Sequence, residues 1–178
     1  DTAVNNLKDY IASHPGAKPF GKFDKIYGGD YTLWLKYANS LRLRLAMQIV
    51  KIDPAKAQLQ AEKALDVANG GVLVLNSDNA FVSGATNSLW VSAHIWGDSR
   101  SGAAIISYMN GYNDPRIGKY FEPSTISPGQ YIGIRAGANI VTHATALKFS
   151  DVSNANFTQS APSMLMTAAE VYFLRAEG

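Results

Sequence analysis

The sequence predicts a mainly α-helical fold: an α-solenoid-like frame of helical hairpins around a loop-rich insert with short strands. Three observations carry that expectation. A helical pattern over Tyr31–Ile52 has apolar residues on two sides. Asp53-Pro54 then restarts a second helix almost at once. Finally, the composition turns to Gly, Ser, Asn and Thr after Gly70-Gly71, and a helical pattern returns only near Pro162.

Val4–Ser13 reads as a short helix stopped by His14-Pro15-Gly16, because proline cannot continue the ladder and restricts the residue before it. Residues 16–30 read as loop, punctuated by Pro19, Gly21, Gly28 and Gly29. In the long helix, Trp34, Ala38, Leu41, Leu45, Ile49 and Ile52 fall on one stripe at 100° per residue, which assigns Trp34 to the core. Leu43, Met47 and Val50 fall on nearly the opposite side. Two stripes imply neighbours on both sides, with Ser40, Arg44, Gln48 and Lys51 as the remaining polar strip.

Asp53 is a good N-cap and Pro54 suits the first helical position. The second helix should run to about Asn69, where Gly70-Gly71 supplies a left-handed stop. The short link makes the two helices antiparallel neighbours. Within the insert, Leu89–Ala93 and Tyr131–Ile134 read as strand-like pieces, and a helix is expected near Gly102–Met109. Pro162–Glu177 reads as helix again. The resulting division is one partial domain over 1–178, with a helical frame at 1–71 and 160–178 and an insert at 72–159. A long irregular excursion of this kind is usually functional. Both ends read as the interior of a longer domain.

Composition removes several functions. Lys+Arg total 16 against Asp+Glu 14, and the basic residues are scattered, so no nucleic-acid surface is expected. There is no cysteine, which excludes disulfides, thiolate metal sites and cysteine nucleophiles in this sequence. His14, His94 and His143 are far apart and form no metal-binding motif, and no cofactor fingerprint is present. Asn76-Ser77-Asp78-Asn79 lacks calcium-loop spacing and reads as a turn. No apolar run reaches the roughly 18–20 residues of a membrane span.

Two carboxylates, Glu170 and Glu177, are seven residues apart on one helical face and could flank a glycosidic bond as a hydrolase pair. The plainer reading makes them ion-pair partners. Arg42 projects toward an apolar side and needs acceptors, with Glu170, Glu177 or Asp30 as candidates, whereas Arg44 belongs to the polar strip. Aromatic rings stack on the flat C–H faces of sugars, and Trp or Tyr on a polar loop is costly to expose without a partner. Trp90, Trp96, Tyr112 and Tyr131 are therefore the candidate ligand-binding residues. The alternation of Leu89, Trp90 and Val91 makes at least one of the two tryptophans a packing residue.

Three segments also carry a resemblance. Tyr27–Met47, YGGDYTLWLKYANSLRLRLAM, resembles a hallmark of the SusD/RagB family of outer-membrane lipoproteins. Asn113-Asp114-Pro115-Arg116 is similar to that family's Asp-Pro-Arg segment, and TAAEVYFLRAEG to its Ala-Glu helix. The resemblance implies tetratricopeptide-like helical hairpins framing a loop-rich binding region, in a non-enzymatic nutrient-binding protein at the bacterial cell surface, lipid-anchored to the outer membrane. Its implied partners are an oligosaccharide or peptide and a SusC-like TonB-dependent transporter. The anchoring cysteine of the family is not in this sequence. The matching motifs are framework ones, so no binding residue follows from the resemblance.

Overall fold

The computed structural model describes residues 1–142 and 151–178; His143 lies outside them. The described residues form two compact units: Asp1–Gly84 with Pro162–Gly178, and Ala85–Ala161.

The first unit is built on α2 (Tyr31–Gln48), with α1 (Thr2–Ser13) before it and α3 (Pro54–Leu65) after it. Each boundary has a local cause. The Asp30 carboxylate accepts from the amides of Thr32 and Leu33, satisfying donors that an uncapped helix leaves orphaned. Asp53 does the same for Lys56, with Pro54 in the first turn. The long helix ends at Gln48, short of the expected Ile52. Asp53, which precedes a proline, is held out of the helical region at φ −141°, and the chain closes instead through amides of Ile52 and Asp53 on the Ile49 carbonyl. After α3, a 3₁₀ turn at Val67–Asn69 leads to Gly70, whose φ of +94° makes the left-handed stop.

Of the expected polar strip, Gln48 and Lys51 are exposed and Arg44 is half-buried, but Ser40 is fully buried, as is its neighbour Asn39. Asn39 Nδ2 donates to the carbonyls of Asn69 (2.6 Å) and Gly71 (3.0 Å). Ser40 Oγ accepts from the Leu73 amide (2.9 Å) and donates to the Lys36 carbonyl (2.8 Å). Two adjacent side chains thus hold the backbone that leaves α3 against α2. Gly70 sits so close that an added Cβ would come within 2.3 Å of Leu35 Cδ2. The core forms around this clasp from Leu43, Ala64, Val72, Leu73, Ala80, Met166, Ala168 and Val171.

Of the two apolar stripes, the Leu43 one is buried only at Leu43, with Met47 half-buried and Val50 exposed, and on the other Leu45 and Ile52 are exposed. Trp34 is half-buried rather than core. Its indole N–H donates to Asp24 Oδ2 (2.7 Å) and its ring meets Tyr27 and Tyr37 edge-on.

The C-terminal segment does not run as one helix from Pro162. Ser163–Met166 is a strand, β2, paired antiparallel with β1 (Ala80–Val82) through an irregularity at Ala80/Phe81. Only then does α7 begin, at Ala168–Glu177, capped by Thr167 on the Glu170 amide. The Asn79 side chain accepts from the Ala168 amide (2.7 Å), tying the helix start to the β1 side. The Thr-x-x-Glu capping pattern at Thr167–Glu170 marks that start in the sequence.

Two aspartates act as internal anchors. Asp24 accepts from the amides of Ile26, Tyr27 and Gly29 and from the Trp34 indole. Asp78, buried at the turn Asn76–Asp78, accepts from the amides of Val74 and Leu75 and from Lys36 Nζ (3.2 Å). Burial pushes both carboxyls up, but the hydrogen bonds outweigh it and hold each below the usual carboxylate range. Burial, with the nearby Tyr37, Asp78 and Asp24, pushes the Tyr27 hydroxyl up to about 12. That hydroxyl donates to the Asp78 carbonyl.

Asn39→Ala leaves two carbonyls without donors and is expected to cost about 2–3 kcal/mol, read as a lower urea midpoint at unchanged slope. A loss under about 0.5 kcal/mol, typical of a surface change, would contradict the clasp. The carboxyls of Asp24 and Asp78 are depressed in the folded state. Their contribution is therefore complete above the unfolded value of about 3.8 and is lost as pH falls below it toward the folded values. Thermal melts across that acid range should show a steep loss of stability that Asp24→Asn flattens; an equally steep loss in the variant would exclude Asp24 as a source.

Candidate functional site

The second unit, Ala85–Ala161, places its aromatics by a mostly polar framework. Asn87, Ser101, Ser124 and Ser153 are buried here beside Ala93, Ile106, Met109 and Val152. Asn87, Ser124 and Ser153 hold backbone through their side chains, whereas Ser101 is bonded through its own backbone and its buried Oγ has no hydrogen-bond partner among the described residues. Asn87 caps a helical turn α4 (Ser88–Trp90) by accepting from the amides of Leu89 and Trp90, and donates to the Ala161 carbonyl. Ser153 Oγ accepts from the Ile132 amide, Ser124 Oγ accepts from the amides of Ile126 and Ser127, and the Ser101 backbone is bonded to Ser153 and Ile134.

Leu89–Ala93 is therefore not strand-like. The α4 turn passes into a π-helical turn, Val91–Trp96, ended by Gly97 in the left-handed region at φ +69°. The period-2 alternation of Leu89, Trp90 and Val91 is misleading, while the Asn87 cap and the Gly97 stop, ten residues apart, are the signal for a short helix. Tyr131–Ile134 is extended but is no more than a bridge: Ile134 pairs in parallel with Gly102. Gly133 is required there, since a Cβ would lie 2.6 Å from Ala103 Cα.

Next comes α5 (Ala103–Gly111), then α6 (Ile117–Tyr120). Between them, Asn113 adopts φ +50°, a conformation asparagine tolerates, and Asp114 closes the turn. The Asp114 carboxylate accepts from the Arg116 amide (2.9 Å) and from both Nε and Nη2 of its guanidinium, with Nη2 at 2.6 Å. Those hydrogen bonds to Arg116 hold the Asp114 carboxyl down at about 2.

The four candidate aromatics are not equivalent. Tyr112, at the end of α5, is 73% exposed, and Trp96, at the end of the π-turn, is 58% exposed. Trp90 is half-buried and stacks on His94 with ring centroids 5.0 Å apart at 12°. His94 in turn meets Glu122 Oε1 (3.3 Å) and the edge of Phe157. Tyr131 is half-buried; its carbonyl accepts from Asn110 Nδ2 and its hydroxyl occupies the space above Gly118.

Tyr108 is a residue that sequence reasoning misses. It is exposed, lies one helical turn before Tyr112, and its ring centroid is 4.6 Å from that of Tyr112 at 40°. The i, i+4 spacing of two tyrosines in an expected helix is the available signal. Among the described residues, no ring contact joins Trp96 to the Tyr108–Tyr112 pair. What the second unit offers chemically is exposed ring faces on a backbone fixed by buried Ser and Asn.

The carboxylate pair belongs to the first unit and has another use. Arg44, not Arg42, reaches Glu170: Nε lies 2.6 Å from Oε1 and Nη2 2.7 Å from Oε2, and Nη2 also donates to the Leu165 carbonyl. The hydrogen bond to Glu170 raises the Arg44 guanidinium further above its usual value. Arg42 pairs instead with Asp1 at 2.6 Å. The reason is helical geometry: the face of α2 carrying Ser40, Leu43 and Met47 is the face that Arg44 shares, and Gly178 at the end of α7 meets the Met47 side chain. Both oxygens of Glu170 are taken by one fork, and Glu177 is exposed. Among the described residues, no group of three or more His, Asp or Glu could hold a metal, and no helix is long and apolar enough to cross a membrane.

Helical hairpins and a loop-rich unit that presents exposed rings on a mostly polar framework make a mainly helical architecture. The family model for SusD-like proteins, the SusD and RagB outer membrane lipoproteins, matches residues 1–178. The chain belongs to that family. It is similar to a chitin-binding SusD homologue from Flavobacterium johnsoniae, at 40% identity and TM-score 0.85, over 100% of this chain and 37% of that one. A SusD homologue from Bacteroides thetaiotaomicron is 39% identical with TM-score 0.83, over 99% and 36%. One from Bacteroides uniformis is 36% identical with TM-score 0.79, over 98% and 37%. The chain thus spans little more than a third of the length of these solved relatives. Among curated proteins, none matches it. Members of the family are binding proteins rather than enzymes.

Proposed function

We propose that this chain is part of a cell-surface nutrient-binding protein that captures an oligosaccharide and delivers it to a SusC-like TonB-dependent transporter in the outer membrane. A lipid anchor holds the whole protein at that surface. Residues 72–159 are the recognition insert of a single domain framed by 1–71 and 160–178. The observation that carries the reading is the exposure of Trp96 and Tyr112 on a rigidly bonded polar framework. An exposed ring face can stack on the flat face of a sugar without requiring a charged or catalytic group.

Within the set of Trp90, Trp96, Tyr112 and Tyr131, the direct contacts are assigned to Trp96 and Tyr112, joined by Tyr108. Trp90 and Tyr131 position the surface from beneath. The chitin-binding relative makes chitooligosaccharides the first cargo to test. The Arg44 clamp on Glu170 weighs against hydrolysis as the activity.

Isothermal titration of the chain with chitooligosaccharides and with maltooligosaccharides tests this. Trp96→Ala and Tyr112→Ala are each expected to weaken binding about tenfold or more, the usual loss at an aromatic anchor, with no product released from the glycan. Failure of every glycan to bind, or variants that bind as well as the parent, would overturn the assignment.

A further inference from the structure

His94 sits in the π-helical turn two residues before Trp96, with its side chain 16% exposed. Each ring nitrogen faces an oxygen. Nδ1 lies 3.2 Å from the Trp90 carbonyl oxygen, and Nε2 lies 3.3 Å from Glu122 Oε1. One ring face stacks on Trp90, and Phe157 stands edge-on to the imidazole at 87°. Glu122 and Phe157 come from two segments joined at the Phe121–Ala155 bridge, where the Glu122 amide also donates to the Asn154 carbonyl. Glu122 follows α6, and α6 follows α5 through the turn that Asp114 closes, with Tyr112 at the end of α5. His94 therefore joins the turn that carries Trp96 to the part of the unit that carries Tyr108 and Tyr112.

The complete joint needs a proton. The Trp90 carbonyl and the Glu122 carboxylate are both acceptors. A neutral imidazole carries one N–H and satisfies one of them. The imidazolium donates to both, and its bond to Glu122 becomes charge-assisted. Histidine is the side chain that ordinarily changes charge between pH 5 and 8. Glu122 is the charged group paired with His94. The other titratable or charged residues on the elements that meet here are Asp98 and Arg100 beyond Gly97, Lys119 and Tyr120 in α6, and Asp151 ahead of Phe157.

We infer that His94 is a positioning residue for the glycan surface: charged, it ties the Trp96 turn to the chain after α6, and neutral, it gives up one of its two attachments. This role rests on the reading of Trp96 and Tyr112 as sugar contacts and adds a control by pH to it. The donor is present in acid and is lost as pH rises, so the spacing of the exposed rings is fixed at low pH and loosened at high pH. Glycan capture is accordingly tighter in mildly acid than in mildly alkaline solution. His94 touches no sugar in this scheme and acts through the turn that holds Trp96.

The test has two arms, both on the full chain. In the first, without sugar, NMR follows the His94 ring, the Trp96 indole N–H and the Glu122 amide from about pH 5 to about pH 8. The Trp96 and Glu122 signals should move together with the His94 ring. His94→Phe keeps a ring to stack on Trp90 and should abolish that movement. Glu122→Gln supplies an amide that can donate to a neutral ring or accept from a charged one, so it should hold the Trp96 signal in place across the range. In the second arm, isothermal titration with chitooligosaccharide should show binding about fivefold weaker at about pH 8 than at about pH 5.5, with no such change in Glu122→Gln. A Trp96 signal that ignores the His94 titration overturns the inference. So does parent binding equal at the two pH values, or a pH slope that Glu122→Gln or His94→Phe retains. Coupled shifts in the free chain with no glycan bound at any pH uphold the positioning role and overturn the glycan reading instead.

Discussion

The first unit depends on one pair of buried polar side chains. Asn39 and Ser40 lie in the middle of α2, where apolar residues would be expected. The Asn39 Nδ2 group and the Ser40 hydroxyl bond backbone groups of Asn69, Gly71, Leu73 and Lys36. A chain leaving α3 through glycines has exposed amides and carbonyls that must be satisfied before Val72 and Leu73 can enter the core. The clasp satisfies them and fixes the register of the chain beyond Gly71. Leu73, Ala80 and Met166 are then buried against Leu43, and the β1–β2 pairing and the Thr167 cap build outward from them.

The acidic residues obey the same logic. Asp24, Asp30, Asp53, Asp66, Asp78 and Asp114 each accept from at least one backbone amide. Glu170 is taken by Arg44. Charge in this protein is used largely to end helices and close turns, which is work that requires a permanently ionised acceptor and not a group that exchanges protons.

The helical hairpin is legible in the sequence because Asp53-Pro54 and Gly70-Gly71 are local signals whose physics needs no tertiary context. The family resemblance is legible for a related reason: its motifs are the residues of the clasp and the caps. The direction of the arginines is not legible. Arg42 and Arg44 differ by two residues and point to nearly opposite sides of α2, so the choice of partner depends on where α7 packs. Ser163–Met166 reads as helix because the apolar residues there suit either structure, and only pairing with β1 decides. In the second unit, the buried Ser and Asn that hold the loops look in the sequence like ordinary loop composition. Ring exposure is a property of packing, so only their surroundings separate Trp90 from Trp96.

The central claim is that α2 is framework and that the exposed rings of the second unit meet the ligand. The three tryptophans report on it directly, since each has one indole N–H resonance. In a titration with chitooligosaccharide followed by amide and indole NMR, the Trp96 indole is expected to shift. The Trp34 indole, bonded to Asp24, and the Asn39 and Ser40 signals should stay in place. Shifts concentrated at Trp34 and along α2, with Trp96 unmoved, would contradict it.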